Sequence, residues 1–326
     1  MNILSPAEIA AAISGAACKK AGLSIGKLIL LGILAGVYIG FGANLATTIG
    51  NDAAKFLGNG VGQLLFGSVF SVGLMLVVIG GAELFTGNNM FMIVGALDGT
   101  CSWGALIKNW IVVYLANFVG SLLLVWIISA AFYGAGADGV AASGLFKGAV
   151  GAKALLVAQG KLGLSWQAAF ARGILCNWLV CMAVWLAFSS KDTVGKIFAC
   201  FFPIMAFVAC GFEHSVANMF FVPIGIVVSH IPAIVDVAAR SVLTPDQVTL
   251  LTSGGTLPAD AIAAMDKFKG SIAETFTWGN FIVKNLIPVT IGNIVGGGIF
   301  VGLFYWLAYL KKAKSADTTE ATKKAS

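Results

Sequence analysis

The sequence predicts an all-α transmembrane protein of six spans, built from two inverted three-helix repeats in which the second and fifth helices are broken. Three observations lead there. Of the 326 residues, 59% are hydrophobic and 10% charged, well short of the roughly 25% charge that covers a soluble exterior. Polar and apolar residues do not alternate with period two through the apolar stretches, so these are helices rather than the strands of a closed barrel. Three polar motifs occur twice, in the same order, once in each half of the chain.

The elements follow in order. Ser5-Pro6-Ala7-Glu8 is a capping box with proline at the first helical position, and Ile9, Ala12, Ile13 and Ala16 follow at helical spacing. Residues 5–22 are therefore expected to form an amphipathic helix on the membrane surface. The opening does not read as a secretory signal, because the first apolar run starts only after Lys27 and lacks a small-residue cleavage site. Stretches long enough to cross about 30 Å of hydrocarbon fall at 27–49, 62–98, 104–134, 166–190, 195–230 and 278–310. Residues 1–312 read as one membrane domain, 231–276 as a polar loop inserted outside the membrane, and 313–326 as a disordered cytoplasmic tail. Six spans put both termini on one side. Basic residues at the two ends, with Lys108, Lys191 and Lys196 in the loops on that side, favour cytoplasmic termini in a cell inner or plasma membrane. The bias is eleven Lys and Arg inside against nine outside, three of the nine in the long insertion.

The internal repeat carries the topology. Gly40-x3-Asn44 matches Gly173-x3-Asn177, Glu83-x4-Asn88 matches Glu213-x4-Asn218, and Lys108-Asn109-x7-Asn117-x2-Gly120 matches Lys284-Asn285-x7-Asn293-x2-Gly296. An odd number of spans per unit forces the two copies into opposite orientations, a pattern of many transporters and channels. Glu83 precedes Lys108 by 25 positions and Glu213 precedes Lys284 by 71, which sizes the insertion at about 46 residues.

Two stretches carry polar groups that lipid would not tolerate: Gly80 to Asn89 and Gly211 to Asn218. Glycine eases departure from helical geometry, and irregular backbone at membrane depth requires protein or a water-filled cavity around it. The freed N–H groups of a helix break favour an anion. His214 can donate a hydrogen bond to it or exchange a proton with it, and Thr86 in the matching break either faces it across a pore or caps a helix. Glu83 and Glu213 read either as carboxylates held by backbone or asparagine N–H groups such as those of Asn88 and Asn218 or as coupling sites of an ion-coupled secondary transporter, with Glu213 and Asn218 bordering the path. Phe70, Leu74, Phe85 and Phe207 flank the breaks as candidate hydrophobic constrictions. Lys161 and Arg172, at the outer end of the fourth span, either draw anions into a vestibule or anchor the helix at the interface. The net charge of +6 is small and concentrated at the ends, which argues against nucleic acid. Cys18, Cys101, Cys176, Cys181, Cys200 and Cys210 include no CxxC pair and lie at no metal-ligand spacing. No metal, cofactor or nucleophile–base pair is expected, and so no enzyme.

At these breaks the chain resembles the formate/nitrite transporter family, through GGAELFTGN (80–88), KNW (108–110), Asn177-Trp178, FVACGFEHSVANM (207–219) and NLIPVTIGNIVGGG (285–298). The resemblance runs from about residue 5 to 312. It implies an aquaporin-like protomer with its own pore, assembled as a homopentamer. It also places the family's pore histidine on His214, its partner threonine on Thr86, its slit residues on Phe70, Leu74, Phe85 and Phe207, and its vestibule lysine and pore asparagine on Lys161 and Asn177. The implied substrates are formate, nitrite, hydrosulfide and related monocarboxylates, with the LIPVTIGNI stretch leaning towards formate.

Overall fold

The computed structural model describes residues 3–134, 145–146 and 148–311; the tail expected at 313–326 lies outside the described residues. In the first half, α1 (Pro6–Ala21) precedes α2 (Ile25–Ile49), and α3 (Ala53–Leu57) leads into α4 (Asn59–Phe70) and α5 (Val72–Gly80). After an interruption come α6 (Phe85–Asp98) and α7 (Trp103–Phe132). The second half repeats the pattern with α8 (Ala149–Leu162), α9 (Trp166–Ser189), α10 (Thr193–Ala209), a second interruption and α11 (Ser215–Val228). Three further helices follow, α12 (Pro232–Ala239), α13 (Pro245–Thr252) and α14 (Ala259–Thr275), before the closing helix α15 (Trp278–Leu310). Five helical stretches, α2, α4 with α5, α7, α9 and α15, are long and apolar enough to cross a membrane alone. In the fifth-span region the apolar helices α10 and α11 are shorter and lie on either side of the second interruption, and α11 with the sharply bent α12 is together long and apolar enough for a sixth crossing. The six-span plan with broken second and fifth helices is thus observed.

Ser5 and Glu8 form the expected capping box at α1, and the bonds from Ser5 hold the Glu8 carboxyl below its usual range. The helix does more than rest on a surface. Ile9, Ala10, Ile13 and Ala17 are buried against Met90, Phe91, Val94 and Trp185, and Ser14 Oγ donates to Asp98 Oδ2 at 2.6 Å. Its counterpart in the second half is α8, so each repeat begins with a short helix and not with its first span.

The structure also corrects the register of one motif pair. Asn117 bonds the carbonyl of Gly32, and Asn293 bonds the carbonyl of Gly173. Gly32 is therefore the equivalent of Gly173, and Gly36 of Asn177; Gly40 and Asn44 match by spacing alone. The other two motif pairs superpose as read.

Helices α2 and α7 cross with their backbones nearly touching, because a Cβ at Gly36 would overlap the Asn117 carbonyl and one at Gly120 the Ile33 carbonyl. The same crossing recurs between α9 and α15, where Gly296 meets the Ile174 carbonyl. Small residues let membrane helices approach closely enough for packing and hydrogen bonding to replace the missing hydrophobic drive.

The segment expected as a polar loop at 231–276 is instead a helical cap. Proline at the start of α12 and a Thr244–Gln247 capping box at α13 start its helices. Ile234, Ala238, Phe268, Ile272 and Phe276 are buried, and Lys269 pairs with Asp236 at 2.6 Å. Ile234 packs directly on Gly151 of α8. The segment looks polar because α13 and α14 carry most of its polar and charged residues, while α12 is largely apolar.

Gly120→Ala is expected to destabilise the protein by about 1–3 kcal/mol through overpacking, read as a lower melting midpoint in detergent. Gly15→Ala on α1, where nothing lies within 4 Å of the added carbon, is expected to leave the midpoint unlowered or raise it slightly, because alanine is the better helix former.

Candidate functional site

Each interruption begins at a glycine in the left-handed region, Gly81 at φ 83° and Gly211 at φ 70°, where a side chain would be strained. Beyond it the chain runs extended for a few residues and restarts as a helix. The backbone groups freed there need partners, and one asparagine per repeat supplies most of them. Asn117 accepts from the Phe85 N–H at 2.9 Å and donates to the Gly32 and Glu83 carbonyls at 2.8 and 2.9 Å. Asn293 accepts from Ser215 N–H at 2.9 Å and donates to the Gly173 and Glu213 carbonyls at 2.8 and 3.0 Å.

The two carboxylates are fixed in the same paired fashion. Glu83 accepts from Lys20 Nζ at 2.7 Å and Asn88 Nδ2 at 2.8 Å. Glu213 accepts from Lys161 Nζ at 3.0 Å and Asn218 Nδ2 at 2.7 Å. Asn88 and Asn218 are anchored in turn by Asn109 and Asn285. A buried carboxylate is tolerated when its charge is neutralised and its remaining lone pairs are bonded, and both conditions hold here.

Two cavities approach the breaks from opposite sides. One, about 240 Å³, is lined by Lys153, Lys161, Arg172 and Glu213 and narrows to Phe70, Phe207 and His214. The other, about 220 Å³, is lined by Lys20 and Glu83 and narrows to Leu74 and Gly87. Between them Phe70 and Phe207 meet edge to face with ring centres 5.9 Å apart, and Phe207 stacks on the His214 ring at 5.9 Å. Thr86 Oγ1 lies 3.0 Å from His214 Nε2, and both residues are buried.

The tautomer of His214 follows from its other nitrogen. Nδ1 accepts the backbone N–H of Ala217 at 3.0 Å, which makes His214 the N-cap of α11. In the neutral ring the proton therefore sits on Nε2, which donates to Thr86. The hydroxyl hydrogen of Thr86 is left to point elsewhere. Two donors thus converge on one apolar constriction.

The structure brings Phe70, Phe207, His214 and Thr86 together, and Leu74 lines the cavity on the other side. Lys161 lines a vestibule but is tied to Glu213. Asn177 sits behind the constriction: its Nδ2 donates to the Thr86 carbonyl at 3.1 Å and the Asn293 carbonyl at 2.7 Å, so it positions Thr86. Asn88 and Asn218 hold the carboxylates. Phe85 is the exception. Its ring turns away from both cavities to meet Tyr114 and Trp110 at 4.8 and 6.2 Å, and it lines a lateral apolar groove with Thr290 and Ile294. The direction follows from Asn117, which grips the Phe85 N–H and sets the first turn of α6. Sequence reasoning missed Lys20, the counterpart of Lys161, because the misaligned Gly40 pair hid the equivalence. It also assigned no role to Asn109, Asn117, Asn285 and Asn293, although the third motif pair marked all four.

Known proteins are similar to this chain in sequence and fold. The sequence profile of the formate/nitrite transporter family matches residues 7–307. The chain is 42% identical over 318 residues to a probable formate transporter of Methanothermobacter thermautotrophicus, covering 94% of this chain and 98% of that one. It is 36% identical to the formate channel FocA of Escherichia coli, covering 95% and 96%. Among solved structures, a pentameric formate channel with formate bound superposes with a TM-score of 0.65 at 38% identity, covering 88% of this chain and 98% of that one.

Asn117→Ala and Asn293→Ala each strip one break of its side-chain partners. Both are expected to lower stability by about 1–3 kcal/mol, the cost of buried unsatisfied backbone groups. Thermal melts in detergent check this; an unchanged midpoint in either variant would contradict the equivalence of the two clamps.

Proposed function

The chain belongs to the formate/nitrite transporter family, and we propose that it is a channel carrying formate, a small monovalent anion, across the cytoplasmic membrane as a homopentamer of independent pores. The observation that carries this reading is the pairing of His214 Nε2–H with Thr86 Oγ1 beside the Phe70–Phe207 pair, at the inner end of one of the two cavities that reach the breaks. Such a point rejects water and offers hydrogen-bond donors in its place. It suits an ion that accepts hydrogen bonds and is thin enough to pass the slit. Phe70, Leu74 and Phe207 strip the hydration shell, and His214 and Thr86 restore part of what is lost. Bulky or doubly charged anions are rejected by size and by the cost of dehydration.

The Nδ1 contact supports His214 as a donor rather than a carrier of the proton. Protonating Nδ1 would set its hydrogen against the Ala217 N–H and release the cap of α11. When formate reaches the slit, its oxygens replace Thr86 as acceptor of Nε2–H, and the threonine hydroxyl turns to donate as well. A proton that accompanies formate is then carried by the acid itself. The lysine pairing of Glu83 and Glu213 argues against those carboxylates as ion-coupling sites, because neither is free to bind a cation.

The orientation follows from the basic ends. The termini and the Lys20–Glu83 cavity face the cytoplasm, and the cap from α12 to α14 covers the outer mouth.

Reconstituted protein is expected to pass formate fastest in a panel with nitrite, hydrosulfide, acetate and lactate, measured by stopped-flow in liposomes. Fastest flux for nitrite or hydrosulfide would reassign the substrate, and no flux for any of them would overturn the reading. His214→Asn retains a side-chain acceptor for the Ala217 N–H but withdraws the donor from the slit. It is expected to keep its melting midpoint while formate flux falls by about tenfold or more, as for a lost bond to a charged group of roughly 1.5–3 kcal/mol.

A further inference from the structure

The two cavities are built on the same plan but differ in charge. Each contains one lysine–glutamate pair, Lys20 with Glu83 and Lys161 with Glu213. These pairs cancel. The cavity below the cap carries two more cations, Lys153 on α8 and Arg172 on α9. Among the described residues neither has an ion pair. The repeat-equivalent positions in the other half, found by aligning Lys20 with Lys161 and Gly32 with Gly173, are Ala12 and Leu31. The lining charge is therefore +2 on one side and zero on the other.

Both extra cations are placed by contacts that leave their charge unspent. The Lys153 ammonium stands 5.8 Å from the centre of the Phe66 ring, which itself lines the cavity. Arg172 Nη1 donates to the carbonyl of Gly211 at 3.3 Å, the left-handed residue that opens the second break. Ile234 of the cap, packed on Gly151, holds the stretch of α8 that carries Lys153. A positive, narrow-walled cavity concentrates anions at its mouth before they reach the slit.

We propose that Lys153 and Arg172 form an anion-capture site for carboxylates and other oxyanions in the capped vestibule, so that anion loading of the channel is sided. This rests on the proposed formate flux and deepens it. Formate entering from the capped face saturates at lower concentration than formate entering from the other face. Oxyanions too large or too highly charged for the slit, of which sulfate is the simplest, occupy the same site without passing and compete with formate from that face only.

The test uses the full-length channel in right-side-out and everted membrane vesicles at low ionic strength, with formate influx followed against concentration. The half-saturating formate concentration is expected to be about threefold or more lower for entry from the capped face, within the range that such fields produce. It should rise to the value of the opposite face in Lys153→Gln with Arg172→Gln, and recover in Lys153→Arg with Arg172→Lys. Sulfate is expected to raise it from the capped face alone. Near 1 M impermeant salt, where screening acts over about 3 Å, the two faces should converge. Equal half-saturation from both faces in the unmodified channel, or an equal shift on both faces in the Gln variants, overturns the proposal. Absence of formate influx from either face would instead remove the transport reading on which it rests.

Discussion

A helix that stops at membrane depth leaves backbone N–H and C=O groups where no water can reach them, and the rest of this structure depends on how those groups are satisfied. Each unpaired group would cost several kcal/mol in hydrocarbon. Asn117 and Asn293 meet that demand from the neighbouring long helices, at backbone crossings held close by Gly36, Gly120 and Gly296. The carboxylates that follow the left-handed glycines are fixed by a lysine and an asparagine each. Only because the breaks are rigid can Thr86 and His214 be presented to one another at a defined separation.

The duplicated scaffold is used asymmetrically where chemistry is needed. The equivalent of His214 is Leu84, and the equivalent of Thr86 is Val216. Each half thus gives one polar group and one apolar group to the midpoint. A strictly symmetric pore would have two histidines or none. On the proposed reading, the mixed arrangement sets Thr86 and His214 beside the Phe70–Phe207 pair as two uncharged hydrogen-bonding groups, which would offer bonds to an anion without trapping it as a fixed positive charge would. Fixed charge is kept further out, in the vestibules, where water still screens it.

Much of this was legible in the sequence. Span number, the inverted repeat and both breaks follow from apolar length, glycine placement and the paired Glu-x4-Asn motifs, all of which are local signals. That Thr86 could meet His214, 128 residues away, was legible from their places in the two matching breaks, but only beside the alternative of a helix cap, and it took the resemblance to choose between the two. Three features stayed hidden for physical reasons. The polar residues of α13 and α14 dominate the segment 231–276 and mask the apolar α12 and the buried side of α14. Lys20 lies on a surface helix, where a lysine ordinarily signals solvent, and only the folded docking of α1 brings it to Glu83. The direction of the Phe85 ring is set by a hydrogen bond from another helix to its own backbone, which composition and periodicity do not encode.

The central claim is that helix capping locks His214 as a donor aimed at the slit. Nitrogen-15 spectra of histidine-labelled protein in lipid bilayers at pH 7.5 test it most directly, with His230→Gln removing the only other histidine of the two in the chain. The account predicts a protonated Nε2 and an unprotonated, hydrogen-bonded Nδ1. A protonated Nδ1 would contradict it, because the same nitrogen cannot then receive the Ala217 N–H.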